Sequence, residues 1–254
     1  MRSVDKRRIL YGFVGLLAGL LIGFFVANRL NRGEVDALRA ELSNLRAHAP
    51  ARAEETSGAK SSASSLTDEE IRDAIASADA RPADLYLQRN LGLALYRYST
   101  QTPNAFYLAD VVRLLKRAYE GNSKDYEAVV ALANVLMERG QSADPKYLLE
   151  ARAYYLKALA LKPEDVETRT ALGLTYYLGN PSEPQRAISE YRRSLLIDPH
   201  HELTLQNLAA ALISTGGMDE ARKRIEELSG LNPSNPALPD LRARLAQRTV
   251  MNRE

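Results

Sequence analysis

Few residues in this chain of 254 are arranged for chemistry. His200 and His201 are adjacent, and neutral imidazole is a common metal ligand. A metal needs further ligands of matching character. The chain has only three His and no Cys, so a solvated turn behind Pro199 is the expected reading. Asp68-Glu69-Glu70 is a run of carboxylates. At the head of an apolar-periodic stretch it suits the positive end of a helix dipole better than acid–base catalysis. Arg192-Arg193 and Arg222-Lys223-Arg224 fall in stretches of helical period and read as solvated faces. There is no glycine-rich phosphate loop and no serine–histidine–acid set. The expectation is a protein that is not an enzyme, with no catalytic, cofactor-binding or metal-binding residues and no cofactor.

The elements behind these residues are helical. Ala, Leu, Arg and Glu dominate, and Trp is absent, a composition that favours helix throughout. The formal charge is +2, so no global field points to nucleic acid as a partner. The first 60 residues hold ten Lys/Arg and six Asp/Glu, which leaves 24 and 26 for the remainder. The slight basic excess therefore belongs to the amino-terminal region.

That region reads as an anchor. A short tail, 1–8, precedes the uncharged run from Ile9 to Ala27. As a helix that run spans roughly 28 Å, close to a hydrocarbon core of about 30 Å. A cleaved signal peptide is the rival, but Phe25 and Ala27 would flank the cut, and Phe is a poor small residue. Arg2, Lys6, Arg7 and Arg8 before the run, against Arg29, Arg32 and Arg39 after it, give a slight positive-inside bias. This places the rest of the chain on the periplasmic or extracytoplasmic side. Gly15, Gly19 and Gly23 share one face, where small residues let two membrane helices approach and self-associate. Residues 28–48 read as a juxtamembrane helix, with Val35, Leu38, Leu42 and Leu45 on a short coiled-coil seam. Together these features lean towards a homodimer, with the lipid bilayer as one partner. Residues 49–66 lack apolar periodicity and read as a flexible linker.

From residue 67 to 250 the apolar pattern repeats. Thr67 with Glu70 forms a capping box, and Ile71, Ala74, Ile75 and Ala78 form the face of a single helix that caps the amino end. Helical pairs follow, with a loop expected inside the first at Ser99–Asn104 and a break inside the second from Gly140 to Pro145. Pro163, Pro199 and Pro233 close successive units 36 and 34 residues apart. Leu238, Leu241 and Leu245 supply a last capping helix. Gly92, Ala133, Gly173 and Ala209 recur at one place in the first helix of each pair, where a larger side chain would push the pair apart. Ala118, Ala158 and Ser194 answer them in the second helix. A period near 34 with two helices per unit is the signature of a helical repeat array. The fold class is therefore all-α: about four helix-turn-helix repeats with capping helices.

Asn90-Leu91-Gly92, Leu172-Gly173-Leu174-Thr175-Tyr176-Tyr177, Asn207-Leu208-Ala209 and the run from Gln185 to Tyr191 and on to Asp198-Pro199 carry a family resemblance. The chain resembles the tetratricopeptide repeat (TPR) proteins from about residue 68 to 248. Where that family has an aromatic early in the first helix, this chain has Gln88, Val129, Arg169 and Leu205. The resemblance implies a superhelix whose concave groove is lined by one face of each first helix. Mapped onto this sequence, that face is Tyr86, Arg89, Leu93 and Tyr96, then Glu127, Val130, Asn134 and Met137. It continues with Glu167, Thr170, Leu174 and Tyr177, then Leu203, Gln206, Ala210 and Ile213. The Lys and Asn set by which chaperone-tail binders hold a peptide carboxylate is not matched beyond Asn134. Tyr, Met and aliphatic neighbours suit an apolar or amphipathic peptide instead. The expected function is a membrane-anchored scaffold or adaptor for protein clients. A more specific version resembles the anchored TPR factors of c-type cytochrome maturation or of secretion. The alternative is a structural subunit that self-associates through its transmembrane glycines.

Overall fold

The computed structural model describes residues 67–101 and 107–251. The expected tail 1–8, anchor 9–27 with Gly15, Gly19 and Gly23, juxtamembrane helix 28–48 and linker 49–66 all fall outside these residues. Among the described residues, no helix is long and apolar enough to cross a membrane.

All regular structure among the described residues is helical: α1 (Asp68–Asp79), α2 (Leu85–Gln101), α3 (Leu108–Gly121), α4 (Tyr126–Ser142), α5 (Lys146–Leu161), α6 (Val166–Leu178), α7 (Pro184–Ile197), α8 (Glu202–Thr215), α9 (Met218–Leu231) and α10 (Leu238–Met251). They fall into two compact units, one up to Val135 and the other from Leu136.

The same local devices start and stop successive helices. Thr67 and Glu70 make the expected capping box, with Glu70 N donating to Thr67 Oγ1 at 3.2 Å and Thr67 N to Glu70 Oε2 at 3.0 Å. Asp84, Asp125 and Asp165 each accept from a backbone N–H three residues on, at 3.0, 3.2 and 2.7 Å. These carboxylates satisfy donors that the first helical turn leaves open. At the other end, the N–H of Asn122, Lys162, Asp198 and Asn232 each returns to the carbonyl four residues back at 2.9 Å. The side chains of Asn122, Asp198 and Asn232 then accept from the N–H two residues on. Such Asx turns reverse the chain tightly.

In the unit up to Val135, α2 packs on α3 and α1 on α2. A Cβ placed on Gly92 would come within 2.8 Å of the Leu115 side chain. Val111, Leu114 and Leu115 complete the seam and are fully buried. In the unit from Leu136, the pairs α6–α7 and α8–α9 stack through α7 on α8, and α10 closes against α8 and α9. Here the Tyr191 ring fills the place beside Gly173: a Cβ there would meet Cε1 at 2.5 Å. Ala158, Ser194, Ala209 and Ala221 are fully buried at the corresponding crossings.

The first residues of two expected loops are instead helix. α2 continues to Gln101, through the start of the expected loop, and α4 continues through Gly140 to Ser142. Gly140 does not break α4. Its missing side chain admits Leu148 of α5, whose Cγ would lie 2.6 Å from a Cβ. The extra length of that repeat therefore sits in the first helix.

Gly173→Ala is expected to destabilise by about 1–3 kcal/mol, because the fully buried Tyr191 ring has no room to yield. Gly230, late in α9, has nothing within 4 Å of an added Cβ and no positive φ. Gly230→Ala is expected to stabilise by about 0.5–1 kcal/mol through helix propensity. Thermal melts of the two variants should move in opposite directions.

Candidate partner-binding surface

The first helices α2, α4, α6 and α8 carry the sequence-mapped face. Up to Val135, Tyr86 is 66% exposed, and Arg89, Val130 and Asn134 are half-buried. Leu93 and Tyr96 are buried, contrary to their expected place on an open face. The cause lies in α2 itself, which is buried on every side from Leu91 to Tyr96; a helix apolar all round packs all round. The charges on this face hold each other. Arg89 bonds Asp125, and its Nη2 reaches Glu127 Oε2 at 2.8 Å. Arg97 Nη2 reaches Glu127 Oε1 at 2.6 Å. Burial pushes the Asp125 carboxyl up, but Arg89 and the Ala128 N–H outweigh it and hold it below the usual range. Arg89 and Glu127 thus tie the start of α4 to α2.

From Leu136 on, Glu167 is exposed, and Tyr177 and Leu203 are half-buried. Met137, Thr170, Leu174, Gln206, Ala210 and Ile213 are buried. α8 repeats the behaviour of α2, since Thr204 to Ile213 is buried without interruption. Thr170 belongs to a buried polar chain. Its Oγ1 lies 2.6 Å from Thr204 Oγ1 and 3.3 Å from Ser194 Oγ. Thr204 Oγ1 is 2.6 Å from His201 Nδ1, and His201 Nε2 is 2.8 Å from Glu167 Oε1. His201 occupies the helix-start position that Asp fills before α2, α4 and α6. Its ring turns onto α6 and ties one repeat to the next.

Position four of the first helix has a physical explanation that the sequence did not disclose. Gln88 is fully buried, and its Nε2 donates to Ala78 O at 2.7 Å and Arg81 O at 3.0 Å. Arg169 Nη2 donates to Pro163 O at 2.6 Å, and its Nη1 reaches Glu190 Oε2 at 3.1 Å. Each polar side chain closes the carbonyl end of the preceding helix or the turn after it. Val129 and Leu205 are simply buried.

A second cluster also escaped sequence reasoning. The Arg152 guanidinium of α5 lies 4.0 Å from the Tyr176 ring centroid. Its Nη1 reaches Glu183 Oε1 at 2.7 Å, and its Nη2 donates to Thr175 O at 3.1 Å. A Cβ on Gly179 would meet Arg152 Nη2 at 3.1 Å. The guanidinium thus stacks on an aromatic and closes the end of α6 together. The only sequence signal was the Tyr176-Tyr177 pair.

The His201 cluster carries a pH dependence. Burial pulls its pKa down, but the Glu167 hydrogen bond and the charges of Glu167, Asp198 and Glu202 overcome this and raise it. A raised folded-state pKa gives stability that is fully present below the ordinary histidine value, about 6.5, and is lost as pH rises through the folded value. The expected result is a melting temperature that falls as pH rises above the ordinary histidine value, about 6.5. Glu167→Gln should flatten that fall, and an NMR titration of His201 should give an elevated midpoint. Matching pH profiles for wild type and Glu167→Gln would remove the histidine from the account.

Comparison with known proteins agrees with this architecture. Residues 182–245 match a family model described as tetratricopeptide repeat. No curated protein matches the sequence. Among solved structures, MamA superposes with a TM-score of 0.53 at 20% identity, over 65% of this chain and 88% of that one. MamA 41-end from Desulfovibrio magneticus RS-1 gives 0.55 at 16%, over 79% and 96%. YrrB, described as a TPR protein with an unusual peptide-binding site, gives 0.52 at 16%, over 70% and 85%. At these identities the likeness is one of fold. The described helices have the tetratricopeptide repeat fold, and residues 182–245 carry that family's own sequence pattern.

Proposed function

We propose that this protein is a membrane-anchored TPR scaffold that holds protein or peptide clients and catalyses no reaction itself. The observation that carries this reading is a set of accessible side chains on first helices that are otherwise locked in place. Tyr86, Val130 and Asn134 lie in one unit, and Tyr177 and Leu203 in the other. Aromatic and aliphatic groups on rigid helices lose little conformational entropy on binding, which is how hot spots are built. YrrB, a TPR protein with an unusual peptide-binding site, supports the same use of the fold. The uncharged run 9–27 supports the anchor. The charge bias around it supports an extracytoplasmic repeat domain, like the anchored TPR factors of cytochrome c maturation or secretion.

The second reading is a structural subunit that self-associates in the membrane. The specific observation behind it is the register of Gly15, Gly19 and Gly23 in the sequence.

Photocrosslinking of the full chain in native membranes separates these readings. Under the scaffold reading, Tyr86→Ala with Tyr177→Ala lowers client capture about tenfold or more, whereas Gly19→Ile leaves it intact. Undiminished capture by the double variant overturns the assignment of this face. A carboxyl-terminal reporter active only in an oxidising compartment should be active; an inactive reporter overturns the orientation.

A further inference from the structure

The second helices of the hairpins show different chemistry on their outward sides. On α7 the exposed positions include Arg186, Ser189, Arg192 and Arg193, with exposed apolar side chains, Leu196 and Ile197, only in its last turn, and on α9 Asp219, Arg222, Lys223 and Glu226. α5 differs. Its exposed positions include Leu149, Ala153, Leu156 and Ala160. Leu149 is 56% and Leu156 49% exposed. The spacing is four, three, four, the seam of a two-helix coiled coil. An open apolar seam on a helix whose other side is already buried marks a docking surface.

We propose that this face of α5 docks on the same face of a second copy of the chain, with the two helices antiparallel. Two features of the sequence select that occupant and direction. First, leucine and alanine alternate along the seam. In antiparallel pairing Leu149 meets Ala160 of the second copy and Ala153 meets Leu156, so every layer joins one large and one small side chain. The helices then keep an even separation. Parallel pairing would join leucine to leucine and alanine to alanine, leaving gaps at alternate layers. Second, Glu150 and Lys157 flank the seam on one side, one heptad apart. The antiparallel arrangement sets Glu150 beside Lys157 of the second copy, twice over, by the two-fold symmetry of the contact. Lys157 already lies along this helix, 4.4 Å from the Tyr154 ring centroid. The surface therefore complements itself in shape and in charge.

The seam is short, so the contact is weak in dilute solution. Tethering two copies in one membrane raises their effective concentration, and to this extent the strength of the contact rests on the proposed anchor. The geometry of the pair does not.

The chain contains no cysteine, so introduced thiols report without background. Two differently tagged full-length chains, one Leu149→Cys and the other Ala160→Cys, are co-expressed and treated with a mild oxidant in native membranes. The expected product is the mixed disulfide, in about tenfold excess over either symmetric one. Adding Leu156→Lys to both chains should lower it about tenfold. Glu150→Lys should lower it about threefold, and Glu150→Lys with Lys157→Glu should restore it. Symmetric disulfides in equal or greater yield overturn the antiparallel pairing. So does a mixed yield no higher than that of Arg222→Cys with Glu226→Cys on α9, or thiol capture by other proteins alone. Membrane fractionation of the same samples reads the anchor separately. A chain absent from membranes that still gives the mixed disulfide refutes the anchor and keeps the pair.

Discussion

The described helices depend on places where a side chain is missing. Gly92 admits Leu115, Gly140 admits Leu148, and Gly173 admits the ring of Tyr191. Each contact sets the separation of two helices, because packed interiors respond to the addition of a single methyl group. The sequence thus encodes the hairpin twice, once as a vacancy and once as the group that fills it. The alanines and serine at the matching crossings extend the rule with side chains just small enough to fit.

Helix ends supply the second layer of definition. Aspartates open three of the first helices, and Asx turns follow α3, α7 and α9. Where the pattern changes, the replacement has a role between repeats. His201 at the start of α8 reaches back to Glu167 on α6. Gln88 and Arg169, in the place of an aromatic, close the carbonyls that precede their helices. The departures from the family pattern are therefore joints between neighbouring elements.

Much of this was legible in advance. Leu91-Gly92 and Leu172-Gly173 announced the crossings, Thr67 with Glu70 announced the first cap, and the prolines announced the period. The length of α4 was not legible, because Gly140 and Pro145 resemble a break until Leu148 is placed against the glycine. The accessible face was only partly legible. A repeat template assigns positions by register and cannot tell that α2 from Leu91 to Tyr96 and α8 from Thr204 to Ile213 are covered on every side. Leu93, Tyr96 and Ile213 accordingly went to the core, as did Thr170 and Leu174 on α6, while Tyr86, Val130 and Tyr177 kept some exposure. Arg152 was beyond reach, since its partners Thr175, Tyr176 and Glu183 come from a different hairpin.

The interlocks have a kinetic side. Each joins residues of adjacent helices, so the loops that must close are short and the entropy lost in closing them is small. A chain with such local contacts folds quickly, and a repeat formed first templates the next. Opening follows the same route in reverse. Among the described helices, α1 and α10, each packed from one side, should exchange their amide hydrogens before the others, and the Gly173–Tyr191 seam should be among the last to let solvent in.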